Sequence, residues 1–346
     1  MILRKNTGPK PVNLALQGGG AHGAITWGVL DRLLEDERLS LKAISGTSAG
    51  AMNAVVLASG YHKGGREGAR EALSNFWRAV SRDGRMSPIQ RSIADRLFGN
   101  WSLDKNPVFL AFDVASRFFS PYDMNPFNIN PLREILEREV DFKAVRANRE
   151  FDLYVSATNV RTGKMRVFRR EQITPDVVMA SACLPFLFRA VEIDGVPYWD
   201  GGYVSNPPLF PFFRTGRNDD IVLVQTNPLV SSKTPRTARD ILNRINEITF
   251  NASLQSELRA IGFVSRQRQS GLLGRWTGRS AKPIRIHRIA ADKELKTLSS
   301  SSKFTIDWSF FQHLRDVGRK AAEDFLKKDF GAIGRRGTLD LRKEAA

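Results

Sequence analysis

Ser48 stands in the run Ile44-Ser45-Gly46-Thr47-Ser48-Ala49-Gly50, and the glycine-rich stretch Gln17-Gly18-Gly19-Gly20-Ala21-His22-Gly23 lies just upstream. Gly46-x-Ser48-x-Gly50 has the form of a nucleophile elbow, a tight strand-to-helix turn that lifts a serine hydroxyl clear of the backbone. Glycine suits both flanks because a β-carbon there would collide with the neighbouring strand or helix. A serine displayed in this way attacks carbonyl carbon, and the charge that gathers on oxygen needs donors. The backbone N–H groups of Gly18, Gly19 and Gly20 are placed by sequence to supply them.

The hydroxyl also needs a base. Asp200 follows the strand-like Val196-Pro197-Tyr198-Trp199 and precedes Gly201-Gly202, which let the backbone turn sharply and approach closely. A free aspartate titrates near ~4, too acidic for the task, but burial beside Trp199 would raise it. Four histidines are available: His22, His62, His287 and His313. The order Ser48, Asp200, His287 would satisfy a Ser–Asp–His triad. His287 lies inside the alternating pattern Ile284-Arg285-Ile286-His287-Arg288-Ile289, however, where a structural histidine is the commoner outcome. His62 and His313 also read as structural. His22, in the loop that must neighbour Ser48, is a candidate to polarise the site or to meet an anionic head group.

Gly18-x-Gly20-x-x-Gly23 also matches the dinucleotide fingerprint, which requires an acidic residue about 20 positions on, at the end of the second strand. That strand ends in Ile44-Ser45-Gly46-Thr47-Ser48 without an acid, which argues against the nucleotide reading. No HExxH, CxxC or carboxylate cluster argues for a metal, and no cofactor is expected.

These residues need a scaffold. Val12 to Leu16 predicts a strand ending in the glycine loop, Ala24 to Glu35 a helix, Leu39 to Ile44 a second strand and Ala49 to Ser59 a second helix. That order is an α/β signature with parallel strands, and it puts Ser48 at a carboxyl end of the sheet, where such folds hold their sites. Gly60 to Gly68 reads as a turn, and Glu71 to Val80 as a helix. Residues 97–129 interleave Phe98, Trp101, Phe109, Phe112, Phe118, Phe119 and Phe127 with prolines. A packing unit, an aromatic cap over an acyl-chain pocket and a membrane-contacting surface all fit that composition. Further on, helices are expected at Pro131–Val140, Pro175–Ala182, Thr237 to about Gln267 and Trp308–Phe325. Strands are expected at Phe151–Asn159, Lys164–Phe168, Val191–Trp199 (a hairpin), Ile221–Thr226 and Pro283–Ile289. The later strands should extend the first sheet.

With 346 residues, 42% of them hydrophobic, the chain can build a large core. One cysteine, Cys183, excludes an internal disulfide framework and fits a reducing compartment. The amino-terminal stretch lacks the apolar core of a secretory signal, and no window predicts a membrane span. A soluble cytoplasmic protein that touches membranes peripherally is the expectation. A net charge of +17 favours anionic partners. Basic residues crowd one stretch: Arg259, Arg266, Arg268, Arg275, Arg279, Lys282, Arg285 and Arg288. This suggests docking on anionic bilayers. No nucleic-acid-binding motif stands out, and nucleic acid is not expected as a partner.

Glycine loop, elbow and Asp200-Gly201-Gly202, in this order, resemble the patatin-like phospholipase family, a group of lipid acyl hydrolases. Ala180-Ser181-Ala182-Cys183-Leu184-Pro185-Phe186 also looks like the segment that family carries before its aspartate. The likeness covers about residues 10–215, and the tail around Asp307-Trp308-Ser309-Phe310 resembles the C-terminal extension of a bacterial subgroup. The resemblance implies a three-layer α/β fold with a mostly parallel central sheet and helices on both faces. It implies a core over 10–228 with an α/β extension, 229–346, packed on it and continuing it. It further implies a Ser–Asp dyad, with Ser48 as nucleophile, Asp200 as base and no catalytic histidine. Gly18, Gly19 and Gly20 would form the oxyanion hole, supported by His22, Gly23, Gly46, Gly50, Gly201 and Gly202. The family often carries arginine where this chain has His22. A lipid or other acyl ester is the implied substrate. A Ser–Asp–His esterase or thioesterase, a polyester hydrolase, an acyltransferase and a catalytically inactive protein that binds anionic membranes stay open as alternatives.

Overall fold

Eight strands form one sheet in the computed structural model, which describes residues 8–84, 91, 95, 100–215, 220–230, 234–269 and 284–341. The strands are β1 (Lys10–Leu16), β2 (Leu39–Gly46), β3 (Asp152–Asn159), β4 (Met165–Arg169), β5 (Val191–Ile193), β6 (Val196–Asp200), β7 (Asp220–Gln225) and β8 (Arg285–Ala290). The helices are α1 (Gly23–Glu35), α2 (Ala49–Gly84), α3 (Pro107–Ala115), α4 (Pro121–Met124), α5 (Pro131–Glu139), α6 (Phe142–Ala147), α7 (Pro175–Ser181), α8 (Phe210–Thr215), α9 (Ala238–Gln269), α10 (Asp292–Leu295) and α11 (Trp308–Lys328).

The hydrogen-bonded order is β5-β6-β3-β2-β1-β7-β8, with β4 also paired to β3. The five strands from β3 to β8 along this path run parallel; β4, β5 and β6 supply the antiparallel edges. Alternation along each strand makes the layers. Leu14, Leu16, Ile44, Val222 and Val224 face one core with residues of α1, α2 and α11. Ala15, Ala43, Ile221, Leu223 and Ile286 face a second with Leu254, Leu258 and Ile261 of α9. Successive strand residues point to opposite sides, so one buried sheet needs helices on both. The fold is therefore mixed α/β with a central sheet between helical layers, as the sequence leads one to expect.

The tail joins this body directly. β8 pairs along the whole of β7, and α11 crosses α1 at very short range. A β-carbon on Gly28 would stand 1.9 Å from the Arg315 carbonyl oxygen, and one on Gly318 2.1 Å from that of Ile25. Arg319 and Arg70 flank the crossing and both pair with Asp31 and Glu35.

One expectation needs correction. Gly60–Gly68 is no open turn: helix runs on until Gly64 and Gly65, the two residues whose dihedrals leave the helical region. Gly60 instead serves close packing, since its β-carbon would meet the Gly68 carbonyl oxygen at 2.4 Å. The aromatic segment is largely surface. Phe109 is buried against Phe304, but Phe118 and Phe127 are 80% and 84% exposed, and Phe98 lies outside the described residues.

Candidate active site

Sheet register explains how residues 48 and 200 meet. Gly46 is the last residue of β2 and pairs with Val155 of β3. β4 occupies the opposite edge of β3, so β6, which pairs with Ala157 through Asn159, must share the edge used by β2. β6 runs the other way and ends on Asp200, opposite Ala157. It therefore meets the end of β2 head-on. The chain leaves β2 at Thr47-Ser48, and Asp200 arrives at the level thus vacated. Ser156 joins the two ends: its hydroxyl lies 2.6 Å from Thr47 Oγ1, and its carbonyl faces Gly201, where a β-carbon would stand 2.4 Å away.

The turn at Ser48 is strained in the way its glycines predict. Ser48 has φ 54°, a left-handed conformation that few side chains tolerate. A β-carbon on Gly46 would lie 2.6 Å from the Gly50 carbonyl oxygen, and one on Gly50 2.2 Å from that of Leu16. Ser48 N donates to Ser181 Oγ at 2.9 Å, which anchors the turn to the end of α7.

Asp200 is fully buried. Its Oδ1 accepts the Gly202 amide at 2.7 Å, while Oδ2 has no hydrogen-bond partner among the described residues. Burial pushes the carboxyl up to about 7, against the opposing pull of the Gly202 amide and the Ser48 hydroxyl. Ser48 and Asp200 line one cavity of about 370 Å³. Most of its wall is apolar, from Met52, Phe76, Trp77, Leu132, Leu187 and Phe311 among others. None of residues 107–129 reaches it.

The glycine loop follows β1, the strand beside β2, and is staked from several sides. Gln17 Oε1 accepts the amides of Thr226 (3.0 Å) and Asn227 (2.9 Å), and Asn227 Nδ2 donates to the Gly18 carbonyl at 2.6 Å. Gly18 N donates to Asn206 Oδ1 at 2.7 Å. Gly18 is thus occupied and absent from the cavity lining, unlike Gly19 and Gly20, whose amides donate to no protein acceptor among the described residues. This removes Gly18 from the expected set of donors. It remains a spacer, since a β-carbon there would meet Ser48 Cβ at 2.7 Å. Gly20 has φ 59°, and Gly23 brings α1 against the start of α2, where Ala49 Cβ would lie 2.6 Å from a β-carbon. Gly202 allows the Phe250 ring to approach.

His22 does not reach the cavity. Its Nε2 lies 2.8 Å from Ser302 Oγ, and burial, with Lys303 nearby, lowers its pKa to about 3. It is a neutral packing residue, not the cation of the site. His287 is further off still. Register places it level with Val222, Leu14 and Ile44, three strands from β2, about 14 Å across the sheet. Nε2 is 3.1 Å from Asp220 Oδ1 and Nδ1 is 3.2 Å from Thr338 Oγ1. No Ser48–Asp200–His287 constellation exists. Sequence reading missed Asn206, Ser181, Asn227 and Lys303, which anchor or line the site. Only Ser181 carried a signal, as part of the segment before Asp200. Among the described residues no group of His, Cys, Asp and Glu could hold a metal.

A family model for patatin-like phospholipases matches residues 14–213, more than half of the chain. The chain belongs to that family, whose members act on lipids. A curated relative, the uncharacterized protein R571 of Acanthamoeba polyphaga mimivirus, is 24% identical over 226 residues, covering 60% of this chain and 65% of the relative. The crystal structure of VipD from Legionella pneumophila is 14% identical with a TM-score of 0.43, over 92% of this chain and 67% of that one. For the type III effector protein ExoU the values are 18% and 0.35, over 93% and 54%.

Proposed function

We propose that this protein is a serine acyl hydrolase that cleaves lipid esters through Ser48 and Asp200. The observation that carries the reading is the head-on meeting of β2 and β6, which faces a left-handed serine with a carboxyl group of pKa about 7 in an apolar cavity. Ser48 Oγ attacks the acyl carbonyl and its proton passes to Asp200 Oδ2, the oxygen that lacks another partner. The oxyanion is held by the amides of Gly19 and Gly20, and the amino end of α2 adds a favourable dipole. Collapse expels the alcohol, which takes the proton back from Asp200. Water then attacks the acyl-enzyme, gives a proton to Asp200 and releases the fatty acid, and the proton returns to Ser48.

A carboxylate serves here because burial has lifted its affinity for protons into the working range. None of the four histidines lines the cavity: His22 and His287 are engaged elsewhere, and His313 stacks on Trp101. Ser48→Ala should abolish hydrolysis of p-nitrophenyl acyl esters, and Asp200→Asn should lower kcat by about 10²–10⁴-fold, the usual worth of a general base. Full activity in Asp200→Asn would refute the dyad.

Peripheral docking on anionic bilayers is part of the reading. Phe118, Phe119, Tyr122, Phe127 and Ile129 are exposed, as are Arg259 and Arg266. Two cations of the basic stretch are spent internally: Arg285 pairs with Asp220 and Arg288 with Asp292. The side chain of Arg268, and all of Arg275, Arg279 and Lys282, lie outside the described residues. Among the described residues no helix is long and apolar enough to cross a membrane.

A further inference from the structure

The cavity also holds a cation that the proposed hydrolysis does not use. Besides its aromatic residues, which include Phe250 and Phe304, it is lined by Lys303, Asn227, Asn243, Asn246 and Ser300. Lys303 belongs to the short helical turn Ser300–Phe304, and its carbonyl closes on Gly20, 2.6 Å from where a β-carbon would be. Nζ donates to Asn227 Oδ1 at 2.9 Å, and among the described residues no carboxylate forms an ion pair with it. Glu247 acts from a distance and is engaged by Arg244 at 3.0 Å. Burial lowers the Lys303 pKa, with Glu247 opposing. A half-buried ammonium without a counter-ion is costly, and the cost is relieved when an anion enters beside it. Asn243 and Asn246 supply neutral hydrogen-bonding groups from α9, which meets the Lys303 turn where Ser300 Oγ donates to Glu247 Oε1 at 3.4 Å, and Asn246 is exposed to solvent.

We propose that Lys303 with Asn243 and Asn246 forms an anion subsite at the mouth of the cavity, so that the preferred substrate is an acyl ester with a negatively charged head. The acyl chain lies along Phe76, Trp77 and Phe311, and the head meets Lys303. A neutral-headed ester of the same chain leaves the ammonium uncompensated and is discriminated against. This assignment rests on the acyl-hydrolase reading of Ser48 for its kinetic test, but not for its binding test.

The kinetic test is the ratio of kcat/KM for lauroyl-lysophosphatidylglycerol over monolauroylglycerol. Wild type should favour the anionic ester at least tenfold, Lys303→Met should reduce the ratio at least tenfold, and Lys303→Arg should keep most of it. A wild-type ratio near one overturns the proposal. So does a ratio that Lys303→Met leaves intact while both rates fall, since Lys303 would then only hold Asn227 and the glycine loop or serve the oxyanion. The binding test uses calorimetry on Ser48→Ala. Dodecyl phosphate should bind at least tenfold more tightly than dodecanol, and inorganic phosphate should bind weakly. Equal affinity for dodecyl phosphate and dodecanol overturns the subsite, and inorganic phosphate binding as tightly as dodecyl phosphate overturns its lipid assignment. If Ser48→Ala hydrolyses both esters like wild type, the hydrolase reading fails, while the calorimetric comparison still decides the subsite.

Discussion

In the proposed mechanism Asp200 carries the chemistry because its carboxyl group is costly to ionise. Its pKa is 3.8 in the unfolded chain and about 7 in the fold, where burial outweighs the Gly202 amide and the Ser48 hydroxyl. The dyad needs this group deprotonated, so kcat/KM on a neutral ester should rise about tenfold per pH unit below 7 and flatten above it, as a pH–rate profile will show. Stability runs the other way. For a raised carboxyl pKa the contribution is fully present below pH 3.8 and is lost as pH rises through 7. Asp200→Asn should therefore be more stable than wild type at pH 8, by roughly 1–3 kcal/mol in urea titrations, while nearly inactive. A gain in stability with a loss of function separates a strained catalytic group from a structural one.

At the scale of elements, the site depends on strand ends and on what fastens them. The Asp220–Arg285–His287 cluster ties β7 to β8 at the far end of the sheet. Although burial pushes Asp220 up, bonds from His287, Arg285 and the Gly334 amide pull it down to about 2. Its contribution is present above pH 3.8 and lost as pH falls toward 2. Asp220→Asn should cost about 3 kcal/mol at pH 7 and shift acid unfolding upward, with specific activity per folded molecule unchanged. Gly318→Ala should cost about 1–3 kcal/mol in thermal unfolding, since its β-carbon would enter the α1 backbone. The elements around Ser48 were legible because alternation, glycines and a short connecting helix all pointed one way. The head-on arrival of β6 was not, because register depends on pairing between strands some 40 residues apart. Nor was Lys303, since a lysine after four serines has no local mark of a cavity residue.

Over the whole molecule, apolar and basic features share one surface function in the proposed account. Exposed Phe118 and Phe127 add apolar contact, and the net charge of +17 adds long-range attraction to anionic head groups. Vesicle sedimentation should show binding to anionic liposomes that weakens between low and high salt. The double variant Phe118→Ser, Phe127→Ser should bind less without a change in melting temperature. Equal binding to neutral and anionic vesicles would remove the electrostatic part. The resemblance read from loop, elbow and aspartate matched the family found over residues 14–213, because those motifs are set by sterics that few sequences satisfy together. The fate of His22 was hidden from sequence, since neutrality comes from burial under the turn at Ser302, far along the chain.

The central claim is that Asp200 activates Ser48 without a histidine. Intact-mass kinetics with a fluorophosphonate test it most directly, by following a single covalent adduct in wild type, Ser48→Ala, Asp200→Asn and His287→Gln. The account predicts one adduct on Ser48, none in Ser48→Ala, labelling at least about 100-fold slower in Asp200→Asn, and a wild-type rate in His287→Gln. Labelling of Asp200→Asn at the wild-type rate, or its loss in folded His287→Gln, would contradict it.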